Sequence, residues 1–231
     1  MITATEQLNQ ATATEPRPLR ALVRDGLPLL VIATALDFSF ALFVMVIQAF
    51  LPDTIGGSDR TPGLALGLYG ATRVVLQLPG GLLARRIGAA RLAVLGAGLA
   101  TLATLLLSVA TNVPQVYLLT LLAGSGTALV WPAVYLLAGD ETADQRGALL
   151  SLLTFCALAG MGAGIILGAL LVDTVPTRAI IPLLAIVLAS AAIGGVIAGR
   201  RIEAKQVLQR SSSRAWERGR LARPVIAVTR H

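Results

Sequence analysis

Two residues of opposite charge, Asp37 and Arg73, lie inside long apolar stretches of this sequence. Asp37 is roughly ten residues into the first stretch, and Arg73 precedes Arg85, at the end of the second, by twelve residues. At about 1.5 Å per helical residue, both would lie ~15–18 Å deep in a hydrocarbon core ~30 Å thick. A charge at that depth costs about 2.5 kcal/mol or more and usually faces a partner inside a bundle. We therefore expect the two side chains to pair or to share a polar cavity.

Two interpretations of this pair stay open on the sequence alone. It is either a fixed salt bridge between two helices or part of a cavity that binds a solute or an ion. Gln77 lies one helical turn from Arg73, and Trp131 precedes a proline that would mark a helix kink. The predicted cavity residues are Asp37, Arg73, Gln77 and Trp131. Other polar candidates, each more typical of packing, are Gln48, Tyr69, Tyr135 and Thr154.

The elements that must position these residues are six apolar runs separated by short polar breaks. Hydrophobic residues make up 55% of the 231 residues and charged residues only 13%, about half the roughly 25% of a soluble domain. A membrane-spanning helix needs about 20 mostly apolar residues. The sequence therefore predicts an all-α membrane protein with six transmembrane helices, in the runs 27–51, 64–84, 92–110, 116–138, 148–172 and 179–198.

The basic residues are distributed unevenly about these runs. With the N-terminus inside, sixteen Lys and Arg residues fall on the cytoplasmic side and only Arg60 and Arg178 fall outside. This asymmetry predicts that both termini are cytoplasmic. The expected organisation is a cytoplasmic segment (1–26), a six-helix transmembrane domain (27–199) and a basic, disordered cytoplasmic tail (200–231). The net charge of +7 is explained by a membrane, and with 4% aromatic residues we expect no nucleic acid partner.

The residues that usually carry catalysis or bind metals are sparse. Cys156 is the one cysteine, and the one histidine is the last residue. Ser125, between two glycines, has no histidine within the apolar runs to activate it. We therefore expect no metal site, no cofactor and no enzymatic activity.

A ridge of small residues occupies the fifth run. Gly160, Gly164 and Gly168 recur every four residues and so share one helix face. Helices in lipid associate through close packing, to which such faces are suited. The ridge predicts either a contact with another helix of this chain or a seam between two copies.

The residues 51–172 resemble the N-terminal half of major facilitator superfamily transporters. The strongest likeness is to that family's loop motif between its second and third helices, in which Gly81, Arg86 and Gly88 match. Arg85 stands where the family has an aspartate that helps latch the two halves together. The sequence departs from the family's pattern at that residue.

Two further segments add to the resemblance. Residues 160–169 are similar to the family's antiporter motif, with Ile165 in place of its proline and Ala169 in place of its last glycine. Residues 124–128 are similar to the end of the fourth-helix motif, but Thr120 stands where the family has an arginine associated with proton coupling.

The resemblance implies one half of a major-facilitator-type bundle in the inner or plasma membrane. Its implied function is transport of a small solute, such as efflux of a drug or metabolite, with the lipid bilayer and the solute as partners. Because such transporters join two six-helix halves, the second half would come from a homodimer or a separate chain, or the chain is a truncated form. The alternative is a non-transporting interaction or accessory subunit.

Overall fold

The computed structural model describes residues 19–139 and 143–221, and these residues form helices without a β-strand. The helices are α1 (Leu19–Phe50), extended by a π-helical turn (Leu51–Ile55), α2 (Thr61–Ile87), α3 (Ala89–Leu107), α4 (Val113–Gly139), α5 (Ala143–Val172) and α6 (Thr177–Leu221). The predicted all-α fold with six helices is thus confirmed.

Five helical segments of the described chain are long and apolar enough to cross a membrane. They are Arg20–Ile55, Ala89–Leu107, Val113–Gly139, Arg146–Val172 and Thr177–Arg201. Helix α2 has 27 residues, which is sufficient length, but Arg73 and Gln77 lower its hydropathy. It nevertheless packs along α4 within the bundle. Its position in the bundle therefore depends on its contacts with α4 rather than on a high hydropathy of its own.

The helices form an open ring in which sequence neighbours mostly do not pack together. The most extensive contacts run from α5 to α1, from α1 to α6, from α6 to α3, from α3 to α4 and from α4 to α2. Helices α2 and α5 therefore lie at the two ends of the ring, and smaller contacts join α1 to α4 across it. This order brings Asp37 on α1, Arg73 on α2 and Trp131 on α4 to the same side of the bundle.

Glycines allow the closest helix approaches. Helices α3 and α4 meet where Gly96 faces Gly126, and the predicted ridge of α5 packs against α1. A β-carbon on Gly160 would lie 2.6 Å from the carbonyl oxygen of Thr34, and one on Gly164 would collide with the carbonyl oxygen of Phe38. The third ridge residue, Gly168, faces the Met45 side chain. In this structure the ridge is therefore occupied within the chain, which was one of the two alternatives that the sequence left open.

A proline near the start of α1 removes one helical hydrogen bond, and a residue of α6 supplies the missing donor. Pro28 has no N–H, so the carbonyl of Arg24, four residues earlier, lacks its helical donor. The Arg201 guanidinium of α6 donates to that carbonyl at 3.0 Å and to the carbonyl of Asp25 at 3.2 Å. This contact joins α1 to α6 at the predicted cytoplasmic end.

The structure differs from expectation at the ends of the outer helices. Helix α1 begins at Leu19, inside the predicted N-terminal segment, and α6 continues to Leu221, well into the tail 200–231 that was expected to be disordered. The reason lies in composition, because residues 201–210 are mainly Arg, Glu, Ala, Lys, Gln and Leu, all good helix formers. Residues 1–18 and 222–231 of the two predicted terminal segments lie outside the described part.

Candidate functional site

The two charges singled out from the sequence lie next to each other. Arg73 Nη2 is 3.7 Å from Asp37 Oδ1, and the side chains are 26% and 17% exposed. This distance is within ion-pair range but too long for a hydrogen bond. The contact joins one nitrogen to one oxygen rather than forming the two parallel hydrogen bonds of a bidentate pair. Both groups therefore keep hydrogen-bonding capacity for another molecule.

Aromatic rings from two helices flank the guanidinium of Arg73. Its Cζ atom lies 5.5 Å from the ring centroid of Phe40 on α1 and 5.9 Å from that of Trp131 on α4. Both distances are within the ~6 Å of a cation–π contact. The ring of Tyr135 continues this wall, 5.6 Å from that of Trp131, and is 52% exposed. The site thus combines a charge pair with an aromatic wall that reaches the surface.

A buried layer fixes the helices that carry these groups. Tyr69 stacks on Phe40 and on Phe43, each with a 5.4 Å centroid distance. Its hydroxyl is 2.9 Å from that of Thr127 on α4, which is also 3.0 Å from the Gly124 carbonyl, an acceptor only. Thr127 therefore donates to the carbonyl and Tyr69 donates to Thr127. These contacts hold α2 to α1 and α4 one turn from Arg73.

Beneath this layer lies a small cavity among α1, α2, α3, α4 and α6. The volume in which the centre of a water molecule fits is about 10 Å³, which is enough for about one water. Its polar lining includes Ser39, Thr104 and Thr127. Within the described chain the buried Ser39 hydroxyl has no hydrogen-bond partner. This cavity is too small for an organic solute. The Asp37–Arg73 pair lies outside its lining and is partly exposed beside the rings of Phe40 and Trp131, and this partly exposed part of the bundle is called the charged gap below.

The remaining predicted residues are less closely tied to the pair. Gln77 is exposed on α2, one turn beyond Arg73. In the loop motif, Gly88 ends α2 with a positive φ of 95°, which favours glycine, while Arg86 is exposed in the last turn and Gly81 lies near Pro132 of α4. The loop motif therefore shapes the end of α2 and contributes nothing to the charged gap.

Two participants escaped the sequence interpretation, Phe40 and Thr127. Phe40 lies three residues after Asp37, so the helical period places it on the same face as that carboxylate. Helical spacing around Asp37 was thus a usable signal for the ring. Thr127 had no such signal, because its role depends on the pairing of α4 with α2. Among the described residues, no group of three or more His, Cys, Asp or Glu side chains could hold a metal ion.

A bundle of six helices with a partly exposed charge pair fits one half of a membrane transporter, because such transporters join two six-helix halves around a substrate site near the bilayer midplane. The chain belongs to the Major Facilitator Superfamily, whose family model matches residues 29–228. The expected family is thereby confirmed, and with it a multi-pass membrane protein that forms half of a bundle of this type.

Two known proteins illustrate the relationship. The inner membrane transport protein YajR of Escherichia coli (strain K12) is 34% identical over 91 residues, which cover 39% of this chain and 20% of YajR. The crystal structure of the peptide transporter POT in complex with sulfate superimposes with a TM-score of 0.64 at 20% identity, over 84% of this chain and 44% of POT. The match covers less than half of each relative, and the likeness to POT concerns the fold alone.

Proposed function

We propose that this protein carries a small solute across the inner or plasma membrane as one half of a major-facilitator-type transporter. The observation that carries the proposal is the partly exposed Asp37–Arg73 pair in the aromatic gap between α1, α2 and α4. Charged side chains within membrane helices are costly, and they typically mark substrate or ion pathways. The proposed binding residues are Asp37, Arg73, Gln77 and Trp131.

The same side of the bundle supports a requirement for a second half. Gln77 and Tyr135 are exposed polar side chains on α2 and α4, close to Arg73 and Trp131. Lipid offers them no hydrogen-bonding partners, whereas a facing bundle or a water-filled cavity does. Alternating access also needs two bundles that rock about a shared site. The partner in this proposal is a second copy or a separate half.

The surface for that partner differs from the glycine ridge considered from the sequence. Gly160, Gly164 and Gly168 pack on α1, so they are not free for association. Helices α2 and α5 at the ends of the open ring each pack extensively on one neighbour, α4 and α1 respectively, so each keeps a face that another bundle could cover. The proposed seam therefore runs along α2 and α5, the two helices at the ends of the open ring.

The membrane orientation in this proposal follows the distribution of basic residues. Sixteen Lys and Arg residues lie on the side of the two termini, and this excess supports a cytoplasmic location for both. Efflux is the proposed direction because residues 160–169 of α5 resemble the family's antiporter motif.

A non-transporting accessory subunit is the second candidate. The observation that favours it is that α1 and α2 share few contacts, so the 3.7 Å ion pair is one of the links between them. In that case the pair is structural, and its removal changes stability and nothing else.

Reconstituted protein separates the two candidates. The chain is placed in lipid bilayers, its association state is measured by single-molecule photobleaching, and flux is measured for aromatic solutes of each charge type. Transport predicts association together with flux that is lost in Arg73→Gln and kept in the exposed-site control Arg91→Gln. If the protein stays monomeric and shows no flux, even after a second transporter half is added, the transport proposal is contradicted. The accessory role then remains.

The ridge provides a check on the seam. Gly164→Ala should destabilise the fold because its β-carbon meets the Phe38 carbonyl. Gly162→Ala, two residues earlier, meets nothing within 4 Å and is the matched control. If Gly164→Ala keeps a stable monomer but abolishes association, the ridge and not the α2–α5 seam joins the two halves.

A further inference from the structure

The charge pair in the gap also indicates the chemical class of the solute. We propose that the site binds a zwitterion of the amino acid type, whose ammonium group contacts Asp37 and whose carboxylate contacts Arg73. This inference rests on the proposed function, because it takes the gap as the place where a solute binds.

Charge balance is the first argument. Asp37 and Arg73 carry opposite charges 3.7 Å apart, so together they are neutral. A lone anion or a lone cation bound there would leave an unbalanced charge among membrane helices, which is costly. A zwitterion adds no net charge, and each of its ends faces a protein group of opposite sign.

The geometry of the pair is the second argument. At 3.7 Å the two side chains attract each other without exchanging a hydrogen bond. The guanidinium is a planar fork of five N–H donors that matches a carboxylate in bidentate fashion. The carboxylate of Asp37 in turn has lone pairs for the three donors of an ammonium group. In an amino acid the two charged groups flank one carbon atom, a separation comparable to that of the pair.

The aromatic wall is the third argument. Phe40 and Trp131 approach the guanidinium from α1 and α4, and the half-exposed ring of Tyr135 lies beside Trp131. Pockets for small molecules are mostly apolar, with a few polar groups that fix orientation. Here the charge pair orients the ammonium and carboxylate groups of the solute, and the rings favour a solute with an apolar or aromatic side chain.

The chain offers its own reporter for this binding. It contains two tryptophans, Trp131 and Trp216. The variant Trp216→Phe leaves Trp131, which lies against Arg73, as the single indole fluorophore. The full-length variant in lipid nanodiscs is titrated with four probes that share a phenyl ring: phenylalanine, 3-phenylpropionate, phenethylamine and N-acetylphenylalaninamide. We expect saturable changes in Trp131 fluorescence, with phenylalanine bound at least tenfold more tightly than the other three.

Two charge-removing variants test each half of the recognition. Asp37→Asn should weaken phenylalanine at least tenfold while 3-phenylpropionate binds as well as before or better, because a repelling carboxylate is gone. Arg73→Gln should weaken phenylalanine to a similar extent while phenethylamine binds as well or better. A variant that merely misfolds would weaken every probe, so these opposite responses identify direct contact. Arg73→Lys, which keeps the charge but loses the planar fork, should give an intermediate loss.

Several results would overturn the inference. They are equal binding of phenylalanine and its N-acetylated amide, binding of 3-phenylpropionate or phenethylamine as tight as that of phenylalanine, and no saturable binding of any probe. The outcome is separable from the proposed function. Selective zwitterion binding without association or flux contradicts transport alone, and flux of other solutes without zwitterion selectivity contradicts this inference alone.

Discussion

Gly96 of α3 and Gly126 of α4 lie backbone against backbone, so that a β-carbon on either would come 2.6 Å from the carbonyl oxygen of the other. Real β-carbons do not approach so closely, and the two helices would have to separate. Gly96→Ala should therefore lower the free energy of unfolding by about 1–3 kcal/mol, as overpacking typically does. Thermal denaturation in detergent, followed by fluorescence, measures this effect.

The matched control is Gly98 on the same helix. A β-carbon there meets nothing within 4 Å, and alanine is the better helix former by about 1 kcal/mol. Gly98→Ala should be neutral or slightly stabilising. Equal destabilisation by both substitutions would show that helix packing at Gly126 is not the cause.

The Asp37–Arg73 pair predicts a coupling energy. Asp37→Asn and Arg73→Gln should each lower stability by about 1–3 kcal/mol, since each leaves a charge without its partner among membrane helices. The double variant should recover part of that loss, with a coupling of roughly 0.5–2 kcal/mol. Thermal unfolding of the four proteins measures the cycle, and additive losses would show that the 3.7 Å contact contributes no energy.

The link between Pro28 and Arg201 predicts a second coupling. Arg201→Gln should destabilise the native chain by about 1 kcal/mol, because the Arg24 carbonyl then loses its donor. In a Pro28→Ala background the helix supplies its own N–H at that point, so the same substitution should cost clearly less. Arg200→Gln, at the exposed neighbour, is the control. An unchanged cost of Arg201→Gln in both backgrounds would contradict the compensation.

Sequence periodicity and composition were sufficient for the number of helices, but not for their arrangement. Each apolar run stands out because the bilayer sets its length, independently of what it packs against. The pairing of α1 with α5 rests instead on local shape, where Gly164 fits the Phe38 carbonyl, and shape complementarity has no signature in a single sequence.

Part of the candidate site could be predicted from the sequence, for a related reason. Asp37 and Arg73 could be paired in advance because charges at equal depth in a membrane need partners. Thr127 could not, since its contact with Tyr69 exists only once α4 lies on α2. Gln77, predicted for the cavity, lies exposed one turn from Arg73, and depth alone could not specify which way it faces.

Two buried threonines of α4 should respond in opposite ways to the same change. Within the described chain the Thr120 hydroxyl is fully buried and has no hydrogen-bond partner, whereas Thr127 bonds Tyr69. An unpaired buried hydroxyl costs about 1–3 kcal/mol, so Thr120→Val should be neutral or stabilising. Thr127→Val should lower stability by about 1 kcal/mol. Destabilisation by Thr120→Val, measured in the same unfolding assay, would show that its hydroxyl has a partner after all.

The uneven distribution of basic residues predicts the topology. An epitope tag after His231 should be reached only from the cytoplasm, and a tag inserted near Ser58, between α1 and α2, only from outside the cell. Both are tested by labelling intact and permeabilised cells. Two tags that both label on intact cells would contradict the six-helix topology.

The order of the open ring has a consequence for biogenesis. Helix α1 is made first, yet its extensive contacts are with α5 and α6, and 92 residues lie between the end of α1 at Phe50 and the start of α5 at Ala143. At a synthesis rate of about 5–20 residues per second, roughly 5–20 s pass between the completion of α1 and the start of α5. Helix α2 arrives sooner and brings Arg73 to Asp37. The ion pair can therefore form early in synthesis, before α5 is available to pack its glycine-lined face against α1.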